Sequence, residues 1–234
     1  MEYPEWRSRW MAYGNYTGSN LPDPDRRIDA LIALWRMPVP GNWQRNIDAK
    51  LLGPRYRRGD GNAPHAREHR IEHDLLAEPI NAVTCLGAEV VDGVNAVPLA
   101  RDPMGGRSGN VEADVLLLLR DRGFHRIAVL EVKDGSNNAW YAAVENLLQM
   151  RLFSANPEQR RLFHVRLPDA MLDEDLPVMG LVAAPPAYYS NNGQKALAVD
   201  PARHLQHRFR TEVGVDVHLA TWDAGTRTLT KHHS

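Results

Sequence analysis

The sequence predicts an α/β domain built on a mixed sheet, and three observations predict it. First, VEADVLLLLRD and FHRIAVLEVKD read as two strands joined by a tight turn, because apolar runs end at an Arg-Gly pair. Second, the segment AWYAAVENLLQMRLFSA follows with helical spacing of Trp140, Val144, Leu147, Leu148 and Leu152. Third, a further apolar strand, Val178 to Pro186, precedes a helix from Pro201 to Glu212 and a last strand from Asp216 to Trp222. Strands interleaved with helices in this order form a sheet covered by helices.

Each remaining element has its own local reason. Residues 1–25 carry tryptophans, tyrosines and prolines without a clear period, which reads as a wrapped arm with aromatic anchors. Pro24 or Asp25 opens a helix whose stripe is Ile28, Leu31, Ile32 and Trp35, and Pro38 closes it after Met37. Gly53 to His65 reads as a basic loop. A second helix is expected from His65 to Ala77, with Ile71, Leu75 and Leu76 inward and Pro79 behind it. Ala82–Leu86 and Ala88–Val91 read as one or two short strands before the glycine-rich stretch DPMGGRSGN. Asn137 or Asn138 caps the helix that follows the strand pair. The expected organisation is an N-terminal arm and helical elaboration over 1–64, packed on a core of 65–234.

Composition narrows the function classes. A chain of 234 residues with 43% hydrophobic content supports a real core, and a formal net charge of −1 excludes a bulk polycation. Any contact with nucleic acid must therefore use a local basic patch. The single cysteine, Cys85, excludes an internal disulfide and a cysteine zinc cluster, and it fits a reducing cytoplasm. The opening MEYPEWRSRW has no apolar segment of a secretory signal, and the apolar run Val115 to Leu119 is far too short to span a membrane. The closing KHHS is left out of the chemistry.

The strand pair carries the chemistry. A two-residue loop at Arg122-Gly123 sets a register in which Asp114 faces Glu131 and Glu112 faces Lys133. Directly opposed residues have Cβ atoms about 5 Å apart, and residues i and i+2 share a face. Glu112, Asp114, Glu131 and Lys133 are therefore expected together. Carboxylates held this close repel, and folding has no need of them. A divalent cation with oxygen ligands does need them. Such a cation polarises a phosphodiester and acidifies water, while a lysine beside it stabilises developing charge or handles a proton.

These residues resemble the PD-(D/E)xK nuclease superfamily, in which an aspartate on one strand and an acidic-x-lysine motif on the next form a Mg²⁺-dependent phosphodiesterase centre. The resemblance runs from about Arg67 to Phe153. It implies a restriction-endonuclease-like, three-layer α/β core with a central mixed β-sheet flanked by helices. It assigns Asp114, Glu131 and Lys133 to catalysis, with the Val132 carbonyl offered to the metal and Glu72 as the acidic residue from a preceding helix. Asp74 and Glu68 are weaker matches for that last place. The cofactor implied is Mg²⁺, with Mn²⁺ able to substitute. Some branches carry a glutamine and an aromatic residue four positions later on the following helix, and Gln149 and Phe153 have that spacing, although phenylalanine stands where tyrosine is usual. His69 or His73 matches the early histidine of those branches. No proline precedes Asp114.

The other candidates stay open. Glu112 is a second acidic ligand, a partner of Lys133, or a surface carboxylate, and Glu145 lies one helical turn before Gln149. Arg55, Arg57 and Arg58 around Tyr56 form a candidate nucleic-acid patch, and Arg107 is a candidate backbone contact. GGRSG lacks the lysine of a phosphate-binding Walker loop. The expectation is a metal-dependent nuclease acting on DNA, with nucleic acid as partner, a possible homodimer, a further protein partner left open and no membrane. The competing expectation is a catalytically inactive nucleic-acid-binding or assembly module on the same fold, and an unrelated α/β domain predicts that Asp114 and Glu131 are not neighbours.

Overall fold

The computed structural model describes residues 1–16, 21–41, 66–77, 79–100, 111–135, 137–156, 176–190 and 198–232. Its elements in chain order are helices α1 (Tyr3–Gly14), α2 (Pro24–Arg36) and α3 (Ala66–Leu76), then a 3-10 turn at Ile80–Ala82. Strands β1 (Thr84–Cys85), β2 (Ala88–Ala100), β3 (Val111–Asp121) and β4 (Phe124–Val132) follow, then helix α4 (Ala139–Ala155). The chain continues with β5 (Val178–Ala184), α5 (Pro186–Ser190), α6 (Val199–Val213), β6 (Val217–Asp223) and β7 (Thr228–Lys231).

The sheet is mixed and flanked by helices. Strands β1 to β4 pair antiparallel in chain order, β4–β5–β6 run parallel, and β6–β7 is an antiparallel hairpin. The two residues of β1 also pair with β7, so the curled sheet closes on itself. The central strands are apolar on both faces, as strands covered on both sides must be. Leu116 and Leu118 of β3, Ile127 and Val129 of β4 and Val182 of β5 pack towards α1, α2, α4 and α6. Their neighbours Val115, Leu117, Ala128, Leu130 and Leu181 pack with Ile71, Leu75 and Leu76 of α3.

The β3–β4 hairpin has the expected register. The pairs run from Asp121 opposite Phe124 to Val115 opposite Leu130, around Arg122 (φ 49°) and Gly123 (φ 89°). Two successive positive φ angles are the geometry of a tight hairpin turn whose twist suits the strands, and glycine takes the second without strain. The ladder stops at Val115, so Asp114 and Glu131 are not a ladder pair. Asp114 instead uses its side chain to accept the Val132 N–H at 2.7 Å.

α4 spans the expected segment, and Asn138 caps it by accepting the Tyr141 N–H at 2.8 Å. It is buried on nearly every side, because the sheet lies under it and α1 and α6 lie over it. Three expectations need correction. The N-terminal arm is a helix, α1, whose buried stripe Tyr3, Trp6, Trp10 and Gly14 has helical spacing in aromatic residues. β2 extends to Ala100 where a short strand was expected. Past Glu89 it pairs with β3 alone among the described residues. The strand at Asp216 to Trp222 is not the last, for β7 returns beside it and places His232 in a stack on Tyr189 at 4.1 Å. Both α1 and α2 join the main core.

Candidate active site

The site lies where β3 and β4 part. Glu131 has the sheet-face parity of Val129, so its side chain points to α4. Lys133, one residue past β4, keeps that parity, and its N–H continues the parallel ladder by donating to Ala183 O at 2.9 Å. Its ammonium lies between two carboxylates, in contact with Glu131 Oε1 and 3.3 Å from Glu145 Oε2. Glu131 and Lys133 are both buried, at 3% and 6% exposed. Asp114 is partly buried, and its Oδ2 accepts the Val132 N–H.

α4 presents Tyr141, Glu145 and Gln149 to this place on successive turns. Gln149 Nε2 donates to Glu131 Oε2 and to the Glu112 carbonyl at 2.9 Å. Asn146, fully buried one turn earlier, orients it. Its Nδ2 donates to the Val129 carbonyl at 2.9 Å and to Gln149 Oε1 at 3.4 Å, which turns the Gln149 amide NH₂ towards Glu131. Gly180 of β5 makes this packing possible. A Cβ there would come within 2.2 Å of Asn146 Oδ1 and 2.4 Å of Met150 Sδ.

α3 closes the other side. Glu72, 5% exposed, receives Asn95 Nδ2 of β2 on Oε2 at 3.3 Å, and His69 Nδ1 lies 3.0 Å from Oε1. Glu68 Oε1 accepts the Asp134 N–H at 3.2 Å and so ties α3 to the end of β4.

The electrostatics follow from this crowding. Burial pushes the Asp114 carboxyl up to about 7; the Val132 N–H and Lys133 oppose the shift, and Glu72 and Glu145 add to it. Burial raises Glu131 still more strongly, reinforced by Asp114 and Glu145 and only partly offset by Lys133. For Lys133, burial works against the charge, but Glu131 and Glu145 outweigh it and hold the ammonium well above its ordinary range. Lys133 is thus a fixed cation that stabilises charge, not a base that takes a proton near neutral pH.

The structure brings Asp114, Glu131, Lys133, Glu72 and Gln149 together, with the Val132 backbone between the motif residues. Glu145 joins them as a partner of Lys133. Glu112 does not: its side chain is exposed, and only its carbonyl takes part. Phe153 is fully buried core. His69 touches Glu72, whereas His73 is largely exposed beside Asp74 at 3.8 Å. Arg55, Arg57, Arg58 and Arg107 lie outside the described residues. Cys85 is buried, and burial pushes its thiol up to about 12, which removes it from nucleophilic chemistry.

Four contributors escape the sequence reading. Asn95 and Asn146 are polar residues inside apolar segments, a signal that could have flagged them. Tyr141 shares the α4 stripe with Glu145 and Gln149. Tyr188 arrives from α5, where its buried phenol feels Lys133, Glu131, Glu68 and Glu145. No local pattern in PPAYYS announces that placement.

Among the described residues, no three His, Cys, Asp or Glu side chains converge as a ready-made metal cluster. Asp114 Oδ1 accepts no hydrogen bond among the described residues, since the Val132 N–H is taken by Oδ2. Both oxygens of Glu131 are engaged, Oε1 by Lys133 and Oε2 by Gln149, and those of Glu72 by His69 and Asn95.

No family model, curated protein or solved structure matches this chain. Among the described residues, no helix is long and apolar enough to cross a membrane.

Proposed function

We propose that the chain is a divalent-metal-dependent nuclease with a restriction-endonuclease-like core, hydrolysing phosphodiester bonds of DNA. One observation carries this reading. Asp114 and Glu131 stand at the end of one hairpin, where Asp114 accepts the Val132 N–H and adds to the upward push on the Glu131 carboxyl, while Lys133 contacts Glu131 and Gln149 donates to it. Two carboxylates against one buried ammonium, with a third carboxyl raised by burial beside them, is an arrangement that costs folding stability, and such costs are borne where function needs them.

In this reading Asp114, Glu131 and the Val132 carbonyl hold Mg²⁺ or Mn²⁺, with Glu72 in support. The cation supplies charge neutralisation at the scissile phosphate and lowers the pKa of the attacking water. Lys133 stabilises negative charge on the phosphate as the bond to the leaving oxygen breaks. Glu145 keeps Lys133 charged and aimed. Gln149, set by Asn146, fixes the Glu131 carboxylate, and His69 and Asn95 fix Glu72. Proton transfer falls to groups other than Lys133, whose ammonium is too strongly held.

The test is cleavage of linear duplex, circular duplex and single-stranded DNA with Mg²⁺, Mn²⁺ or a chelator. Metal-dependent cutting lost in Lys133→Ala and Asp114→Ala supports the reading. A folded protein that cuts none of these substrates with either metal overturns it. The second reading, a binding module with an idle site, draws on the full engagement of Glu131, whose two oxygens are held by Lys133 and Gln149. It predicts DNA binding without cleavage and no response to divalent metal.

A further inference from the structure

We propose that Arg7 of α1 is a phosphate-binding residue of the candidate site, holding a backbone phosphate of the substrate beside the Tyr141 phenol. The inference rests on the nuclease reading for the identity of the substrate, but not for the existence of an anion site.

Arg7 is half-buried, and its Nε is sealed from solvent with no hydrogen-bond partner. It makes no ion pair among the described residues. The same helix shows that a partner was within reach of the sequence, because exposed Arg9 pairs with Glu5 at 2.7 Å. Arg151 and Arg203 also leave one buried nitrogen unpartnered, but each is otherwise engaged. Arg151 donates to the Met37 carbonyl at 2.9 Å and stacks over Trp35, and Arg203 pairs with Asp200 at 3.5 Å. A half-buried guanidinium with no counter-charge is costly, and its planar fork of donors matches an oxyanion.

Its position points to which oxyanion. α1 packs along the start of α4, where Trp140 Nε1 donates to the Tyr13 carbonyl at 2.9 Å. Gly14, two turns beyond Arg7 on the same stripe, lies so close that a Cβ would stand 3.2 Å from Val144 and 3.9 Å from Tyr141. Tyr141 begins the α4 stripe that continues through Glu145, the partner of Lys133, to Gln149. The charge of Arg7 is felt at the Tyr141 phenol together with those of Glu145 and Lys133. Arg7, seven residues before Gly14, therefore shares the face of α1 that packs against α4, on the side of the stripe that carries Tyr141 and Glu145. On the nuclease reading, a DNA strand with one phosphate at Lys133 would carry a neighbouring phosphate along this stripe towards Arg7.

The test compares the full chain with Arg7→Gln and Arg7→Lys variants using two probes. Inorganic phosphate is titrated calorimetrically into metal-free protein, and a short labelled DNA duplex is used for binding and cleavage. The expected results are phosphate binding lost in Arg7→Gln, duplex affinity lowered about tenfold, and a salt slope reduced by about one. KM should rise while kcat stays within about twofold, and Arg7→Lys should keep the salt slope but not the full affinity. Removing an unpaired half-buried charge should leave the melting temperature equal or higher. Phosphate and duplex binding unchanged in Arg7→Gln would overturn the inference while leaving the nuclease reading standing. So would a large fall in melting temperature in both variants, which would make Arg7 a packing residue. Arg7-dependent phosphate binding in a chain that cuts no DNA would keep the anion site and remove the nuclease. A wild-type chain that binds neither probe would remove both.

Discussion

Two charge networks of this molecule contain similar groups and behave in opposite ways. On the outer helices, Asp25 and Asp29 of α2 meet His204, Arg208 and Glu212 of α6, with Arg208 2.7 Å from Asp29 and His204 2.7 Å from Asp25. These groups are largely in water. Hydrogen bonding to His204 holds the Asp25 carboxyl below its ordinary range, and Arg208 does the same for Glu212. At the end of β4, Glu131 and Glu145 flank Lys133, and there burial pushes Asp114 and Glu131 the other way. Each partner in the outer network favours the charged state of the next. At the end of β4, burial disfavours the carboxylate charges while the carboxylates favour that of Lys133, and this sets the place apart from a surface clasp.

The largest effect expected is at the end of β4. Lys133→Met leaves Glu131 and Glu145 facing each other without a cation, and cleavage should fall by at least about a thousandfold. The same variant should lose about 3 kcal/mol in denaturant unfolding at pH 8, the usual scale for breaking a buried pair. Arg208→Met in the outer network should change stability far less, and its effect should shrink further in high salt. Equal losses in the two variants would break the comparison.

Next in size is a substitution that acts on the packing under the site. Gly180→Ala drives a methyl into Asn146 and Met150, and should cost about 2–3 kcal/mol. A loss of activity beyond that of stability would show that Asn146 positions Gln149. Asn146→Leu should then lower kcat more than it raises KM.

A smaller effect, of opposite sign, is expected for neutralising Asp114. Asp114→Asn should stabilise the metal-free protein at pH 8 by about 1–3 kcal/mol while abolishing cleavage. The pH dependence follows from the direction of the shift. Folded Asp114 holds its proton up to about 7, above the ordinary carboxylate value of 3.8, so the folded state binds more protons across that interval. The contribution of Asp114 is fully present below the lower value and is lost as pH rises through 7. The stability advantage of Asp114→Asn over wild type should therefore grow between about pH 4 and 7 and level off above. A constant difference across that range would show that Asp114 is not buried against its charge.

The hairpin and α4 were legible in the sequence for the same reason, that local rules were enough. Arg122-Gly123 admits few turns, so the register between β3 and β4 followed as far as Val115 opposite Leu130, whereas the pairing of Asp114 with Glu131 did not. Asn138 and the long run of good helix formers set α4. The rest needed tertiary information. α1 hid its period in Tyr3, Trp6 and Trp10, which do not look like an aliphatic stripe. β2 is interrupted by Asp92, Gly93, Asn95 and Pro98, residues that do not read as a strand, and the contact of Asn95 with Glu72 is a tertiary one. Tyr188 comes near Lys133 and Glu131 from a distant part of the chain, and nothing in its local sequence announces it. The Glu145–Lys133 contact depended on which face of α4 turns to the sheet, which the all-round burial of that helix concealed.

The most direct test is thermal unfolding of wild type and Asp114→Asn at pH 8, each with a chelator and with excess Mn²⁺. The account predicts that Mn²⁺ raises the melting temperature of the wild type by several degrees and leaves Asp114→Asn unmoved, and that Asp114→Asn is the more stable of the two with chelator. A wild type indifferent to Mn²⁺, with Asp114→Asn less stable than it, would show that the carboxylates of this site serve the fold and not a metal.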